Sequence, residues 1–407
     1  KKKKMTKYIP EESLNGLHLY KYGGVDKSLV SRYILGPYWT NLVKIFPLWM
    51  APNMITLLGL LTVGINIITL FYYTSTLGEC PNWVYSTFGI GLFIYQSLDA
   101  IDGKQARRTQ TSGPLGELFD HGCDALNTTL GALTWASSTY LGQSWWTVIS
   151  CAASLGNFYL STWEEYHTGI LYLGHFSGPV EGVLMLCGVH MISGYFGPAV
   201  WMIRVNELFP SSIFELNEVT QLIGSLQLNH VLIVLGGSVT FINIVTALYN
   251  VIHVKLQPTE MSKKDGSIVK ATLGLAPFIN MCFWTYKWMR IWPDIVTDHL
   301  AVFIFFFGLI FGHQVGLMIT AHVSKLSFPY INIPVNALLI SGYLIAKSES
   351  FIEEFIPVDH RFVIKVYVVL AAYVYYDLAR GVIQQICTYL DIGCLYIKKK
   401  PTAAKSS

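Results

Sequence analysis

The chain has 407 residues, 52% of them hydrophobic and only 13% charged. That is half the charged share of an ordinary soluble domain, about 25%, so a wholly water-solvated fold is excluded. The formal net charge of +3 is too small and too dispersed to indicate a nucleic-acid partner.

From the N-terminus, "KKKKMTKYIPEESLNGLHLYKYGG" lacks the apolar stretch of a cleavable signal peptide, and Lys1–Lys4 carry no argument. The next segment, "DKSLVSRYILGPYWTNLVKIFPLWMAPN", repeats Leu29, Tyr33, Leu42, Phe46 and Trp49 at loosely helical spacing, with Arg32 and Lys44 on other faces. This pattern predicts an amphipathic helix lying in the membrane surface, with a soluble hairpin as the alternative.

A helix needs about 20 apolar residues to cross the hydrocarbon core. Runs near 54–73, 84–98, 125–142, 145–163, 179–201, 230–253, 271–289, 299–321, 332–346 and 362–386 predict an all-α polytopic membrane protein with about ten spans. The loops orient it. Lys21, Lys27, Arg32 and Lys44 precede the first span; Lys104, Arg107 and Arg108 follow the second; Lys255, Lys263, Lys264 and Lys270 surround the connection after the sixth; Lys398, Lys399 and Lys400 follow the tenth. Lysine and arginine favour the cytosolic side, so both termini are expected there. No internal repeat is seen, and "PTAAKSS" is expected to be disordered. The seven cysteines, without a CxxC pair, read as thiols rather than a disulfide framework or zinc site.

Between spans two and three stands "LDAIDGKQARRTQTSGPLGELFDHGCD". Asp99 and Asp102 are three apart, Asp120 and Asp124 four apart, and on helices each spacing puts both carboxylates on one face. Gly113 and Pro114 break the helix between the pairs. A helical hairpin then gathers four carboxylates at the cytosolic mouth. They cannot all stay ionised there without counter-charge. Two divalent cations would supply it, and Mg²⁺ takes carboxylates together with substrate phosphates.

This stretch resembles the signature of the CDP-alcohol phosphotransferases, D-x2-D-G-x2-A-R-x8-G-x3-D-x3-D, with Asp99, Asp102, Gly103, Ala106, Arg107, Gly116, Asp120 and Asp124 at every fixed position. "FPLWMAPNMITLLGL", "FYLSTWEEYHTG" and "SGPVEG" extend the resemblance to the eukaryotic choline/ethanolamine branch, close to its fungal members. The resemblance implies a dimeric enzyme of the endoplasmic reticulum, or the Golgi, with a cytosolic site. It would transfer phosphocholine or phosphoethanolamine from the CDP-alcohol to diacylglycerol. It implies metal binding by Asp99, Asp102 and Asp120, with Asp124 completing the site. Mg²⁺ is the expected ion and Mn²⁺ the alternative. Asn53, Gly103, Ala106, Arg107 and Gly116 would line the CDP, His121 would be the base and Glu181 its partner. The chain would then divide into an N-terminal cytosolic and interfacial region (1–53), a catalytic core (54–253), C-terminal helices for dimerisation or lipid access (254–389) and a cytosolic tail (390–407).

The residues support these roles separately. A hydroxyl nucleophile needs a general base, a metal-bound carboxylate is a weakened one, and His121 is free of that duty with a pKa closest to neutrality. Glu164 and Glu165 end span four on the same side, so Glu181 is preferred over them mainly on resemblance. Arg107 can fork two phosphate oxygens. His190, His313 and His322 read as core histidines, and His167 as either core or substrate-facing. Trp163 and Tyr166 would either box a quaternary ammonium or sit at the interface. Asn127 fits a glycosylation acceptor but falls within a span. A cation-coupled transporter also uses membrane acids, and a related phosphotransferase with another acceptor alcohol is the remaining alternative.

Overall fold

The computed structural model describes residues 8–26, 28–173, 179–214, 217–258, 266–353 and 357–398. Lys1–Lys4, Lys27, Lys263, Lys264, Lys399, Lys400, the tail and the first two residues of "SGPVEG" lie outside the described residues.

After a 3-10 turn at Glu11–His18, the principal helices are α1 (Gly36–Leu42), α2 (Pro52–Tyr73), α3 (Asn82–Thr109), α4 (Pro114–Ser138), α5 (Trp145–Thr168) and α6 (Pro179–Phe196). They continue with α7 (Leu228–Leu256), α8 (Ala276–Ile291), α9 (Leu300–Ser324), α10 (Ile333–Lys347) and α11 (His360–Leu390). Each of the ten expected spans falls on one of α2–α11. By length and apolar composition alone, Pro52–Tyr73, Leu228–Leu256, Ile268–Ile291, Leu300–Ser324 and His360–Leu390 are able to cross a membrane, while Val180–Phe196 and Ile333–Lys347 are shorter apolar helices. Helices α3, α4 and α5 have 28, 25 and 24 residues. They are long enough, but polar residues interrupt them. The protein is an all-α, polytopic membrane protein.

Two three-residue strands depart from that expectation. β1 (Gly24–Asp26) pairs in parallel with β2 (Leu171–Leu173), tying the N-terminal segment to the connection that follows α5. Three-residue strands leave little pattern to read.

Why the helices begin where they do is local chemistry. Pro52 and Pro114 stand in the first turns of α2 and α4, where a missing N–H costs nothing. Ser144 caps α5 by accepting from Thr147 N, and Asp359 caps α11 by accepting from Phe362 N at 3.1 Å. α9 is the central helix, with Phe303, Phe306, Phe311 and Met318 buried in one core and α4 and α11 packed against it. Gly308 lets α9 meet α4 closely: a Cβ there would lie 2.2 Å from Thr129 Cγ2. Lipid gives helices no hydrophobic reason to associate, so such close approach by small residues is what holds them.

The N-terminal segment is helical from Leu29 to Ile45, passing through a π turn at Ser31–Leu35 and a 3-10 turn at Val43–Ile45. Leu35, Trp39 and Val43 pack inward with Ile55 and Ile101, whereas Leu29, Tyr33, Ile34 and Ile45 face outward. Arg108 fastens this helix to α3 by donating to the carbonyls of Val43 and Phe46, and Gln105 Nε2 donates to those of Pro47 and Met50 at 2.9 and 3.1 Å. All seven cysteines are free thiols.

Candidate metal and phosphate site

The site is built where α3 ends and α4 begins. α3 continues past its apolar run to Thr109 and stops with Gln110 in the left-handed region at φ 56°. A short turn, extended at Gly113, leads into Pro114. The hairpin expected from the sequence is thus present, and it places all four aspartates on helix.

Asp99, Asp120 and Asp124 each bring one carboxylate oxygen to within 4.8 Å of the others. Oδ1 of Asp99 and Oδ1 of Asp120 are buried and have no hydrogen-bond partner among the described residues. Asp124 accepts from the Tyr95 hydroxyl at 2.5 Å, and Asp102 accepts from the Thr56 hydroxyl on α2. Buried carboxylate oxygens left without donors are expensive, and no lysine or arginine bridges to them among the described residues. Oxygen-only donors, unpartnered and convergent, fit a hard divalent cation. The residues present therefore suit the expected metal.

The nucleotide-lining candidates surround this cluster. Arg107 is exposed at the mouth, one turn beyond Gly103. A Cβ at Gly116 would meet nothing within 4 Å, and one at Gly103 only the Arg107 guanidinium at 3.7 Å. The helix surface beside the aspartates is therefore open to a ligand. Ala106 is half-buried on the same turn as Gly103. Asn53 is buried at the start of α2, and its amide donates to the carbonyl of Cys394 at 3.1 Å, so the segment after α11 closes over that end of the site. Tyr396 pairs with Met50 beside it.

His121 is buried next to Asp120, with its Nδ1 3.7 Å from Oε2 of Glu165. Glu181, the partner implied by the resemblance, accepts from the Ser28 hydroxyl, and its Oε2 is buried without a hydrogen bond among the described residues. Glu164 turns away from the site and accepts from the Asn250 amide on α7 at 2.7 Å. Glu165 and Glu117 are the neighbours of His121 that sequence reasoning did not single out, although Glu165 stood among the carboxylates on the correct side.

The remaining candidates separate cleanly. His190 Nδ1 bonds Ser138 Oγ at 2.7 Å and His313 Nδ1 bonds the Asn332 amide at 3.0 Å, both as buried core histidines. His322 is also buried, but its Nε2 stands 3.6 Å from Oε1 of Glu117, at the edge of the site. His167 is buried in an aromatic nest of Trp163, Tyr166 and Phe328. Trp163 donates to the Ala271 carbonyl at 2.8 Å and Tyr166 to that of Leu326 at 2.7 Å. Both are core residues rather than interfacial ones. Asn127 is buried in α4.

Comparison with known proteins agrees with this geometry. Residues 49–205 match the family described as CDP-alcohol phosphatidyltransferase. The chain is 40% identical to cholinephosphotransferase 1 of Saccharomyces cerevisiae over 80% of this chain and 82% of the relative. It is 38% identical to choline/ethanolaminephosphotransferase 1 of the same yeast, over 81% and 83%. A choline/ethanolaminephosphotransferase 1 of Arabidopsis thaliana is 34% identical over 97% of this chain and 99% of its own length. None of these relatives lends support to a transporter. An acidic hairpin open to a phosphate ligand and kinship along nearly the whole chain lead to one conclusion: the protein belongs to the CDP-alcohol phosphatidyltransferase family.

Proposed function

We propose that the protein transfers phosphocholine or phosphoethanolamine from the CDP-alcohol to diacylglycerol, releasing CMP. The observation that carries this reading is the convergence of Asp99, Asp120 and Asp124, with no lysine or arginine bridging them among the described residues, beside the open helix surface of Gly103 and Gly116. The names of the yeast and plant relatives supply the choice of alcohol.

In this reading Asp99, Asp102, Asp120 and Asp124 hold two Mg²⁺ ions, with Mn²⁺ as a substitute. Bound there, the ions would neutralise the diphosphate and stabilise the charge that develops as it is cleaved. Asn53, Gly103, Ala106, Arg107 and Gly116 hold the CDP: the small residues let it approach the backbone, and Arg107 forks phosphate oxygens. His121 takes the proton of the diacylglycerol hydroxyl as that oxygen bonds the β-phosphorus. The bond from that phosphorus to the oxygen it shares with CMP breaks, and CMP leaves with the electron pair. Glu181, which accepts from the Ser28 hydroxyl, is the carboxylate partner of His121 in this reading. The catalytic core is 54–253, preceded by the cytosolic and interfacial region of residues 1–53. The helices of 254–389 serve diacylglycerol access and a homodimer, and 390–407 is a cytosolic tail. Both termini and the site face the cytosol from the endoplasmic reticulum membrane.

The test is purified protein with diacylglycerol and each CDP-alcohol in turn, with EDTA as control. CMP release with at least one of them, abolished by EDTA and restored by Mg²⁺, is expected. Release that survives EDTA, or full activity in Asp102→Ala, overturns the metal assignment.

A further inference from the structure

The chain beyond α11 brings two thiols together at the rim of the site. Asp391 ends α11 in the left-handed region at φ 54°, and its N–H and that of Ile392 both return to the Cys387 carbonyl, the latter at 3.1 Å. Along a straight helix Cys387 and Cys394 would stand about 10 Å apart. This reversal instead folds Cys394 back, and the Cys387 thiol hydrogen-bonds the Cys394 sulfur. Gly393 permits the fold, since an added Cβ would lie 2.4 Å from the Tyr396 carbonyl oxygen. Cys394 also faces the nucleotide side: the Asn53 amide donates to its carbonyl at 3.1 Å and to its sulfur at 3.9 Å. Both thiols are half-buried, whereas Cys80, Cys123, Cys151 and Cys187 are buried. Among the described residues no third histidine, cysteine or carboxylate joins both sulfurs within 4.8 Å, so the pair lacks the ligand count of a metal centre.

We propose that Cys387 and Cys394 are a reversible thiol–disulfide pair that responds to a hydroperoxide and, once joined, draws Cys394 away from Asn53 and weakens CDP-alcohol binding. The effect on binding rests on the reading of Asn53 as a CDP residue; the disulfide does not. The hydrogen bond from Cys387 outweighs burial and, with the Asn53 amide, pulls the Cys394 thiol down to about 7. The thiolate is the nucleophile, so Cys394 attacks first. Its sulfur bonds one peroxide oxygen, the O–O bond breaks, and the other oxygen leaves with the electron pair and takes a proton. Cys394 is then a sulfenic acid, and the peroxide has gained two electrons. The Cys387 sulfur next attacks the Cys394 sulfur. The S–O bond breaks, water departs with the Cys387 proton, and a disulfide remains. Its sulfurs stand about 2.05 Å apart, closer than hydrogen-bonded thiols. The turn between them must shift, and the Cys394 atoms that hold Asn53 shift with it. Disulfides of cytosolic proteins are usually transient or redox-sensing, and this end of α11 is the cytosolic one in the orientation proposed above.

The full-length protein, purified in detergent with its thiols reduced, is treated with hydrogen peroxide, alkylated and digested for mass spectrometry. Affinity for CDP-choline and CDP-ethanolamine is measured before and after treatment. A peptide linking Cys387 to Cys394 is expected in the treated protein. Affinity should fall about 3- to 10-fold, the scale of one lost hydrogen bond, and dithiothreitol should restore it. Methionine sulfoxide needs its own reductases, so recovery with dithiothreitol assigns the loss to cysteine. Cys387→Ser should match the reduced protein in affinity and be unmoved by peroxide, while Cys282→Ser, altered on α8, should respond as the native chain does. Absence of the linked peptide overturns the redox pair. An equal loss of affinity in peroxide-treated Cys387→Ser also overturns it, because the sensitive thiol then lies elsewhere. A linked peptide with unchanged affinity overturns the coupling to Asn53. If the reduced protein binds neither CDP-alcohol, the functional reading fails with the coupling, and the linked peptide alone decides the pair.

Discussion

At the scale of single residues, the hydroxyls that hold the aspartates matter as much as the aspartates. Tyr95 donates to Asp124 at 2.5 Å and Thr56 to Asp102. A carboxylate fixed by one donor presents its other oxygen in a set direction, and removing such a partner typically weakens a metal site about 10- to 100-fold. Tyr95→Phe keeps the ring and its packing. It is therefore expected to raise the Mg²⁺ concentration for half-maximal CMP release about tenfold, with little change in the rate at saturating Mg²⁺. A metal titration of the variant checks this. The aspartates themselves were legible in the sequence because spacings of three and four fix a helix face without help from packing. Glu165 was not. Adjacent residues on a helix point about 100° apart, and only the rotation of α5 against α4 sends Glu165 to His121 and Glu164 to Asn250. His322 is similar: burial was readable, but the approach of α9 to Glu117 depends on helix packing.

Between elements, α9 holds the two halves of the protein together. It packs on α4, which carries the site, and on α11. The contact at Gly308 admits no side chain: the nearest Thr129 atoms would lie 2.2, 2.7 and 2.8 Å from an added Cβ. Gly308→Ala forces α4 and α9 apart or Thr129 out of its rotamer. Overpacking of this kind costs about 1–3 kcal/mol, and Gly308→Leu should exceed it. Thermal unfolding in detergent should show a lower Tm for both, more so for leucine. Adding Thr129→Ala to Gly308→Ala should restore some of the loss, since two of the three close atoms are removed. Span positions were visible as apolar runs, but a glycine in an apolar run does not announce its neighbour. The ends of α3 and α4 were also hidden, because the helices continue into polar sequence where hydropathy falls.

For the whole molecule, charge separates the two ends of the helix bundle. At the site end, Lys104, Arg107 and Arg108 close α3 and Lys325 follows α9. At the other end, the connections 74–81, 139–144, 197–227, 292–299 and 348–359 contain a single lysine or arginine, Arg204, among several acids, while Lys287, Arg290, Lys347, Arg361 and Lys365 stand in the helix turns that border them. That far end is braced on its own terms: His360 bonds Asp294 at 2.8 Å and Glu349 at 2.5 Å, and its ring stacks on Trp292 at 3.9 Å. Asp294, Glu349 and His360 are remote in sequence from the aspartate hairpin. Since lysine and arginine favour the cytosolic face, the braced end should be lumenal. A glycosylation acceptor inserted within 204–214 should therefore be modified in microsomes, and the same acceptor within 325–332 should not. Only a site on the cytosolic face meets a soluble CDP-alcohol while drawing its acceptor from the bilayer. Modification of the 325–332 insertion alone would reverse the orientation and place the aspartates on the lumenal side. The nucleotide would then have to cross the membrane before it could react.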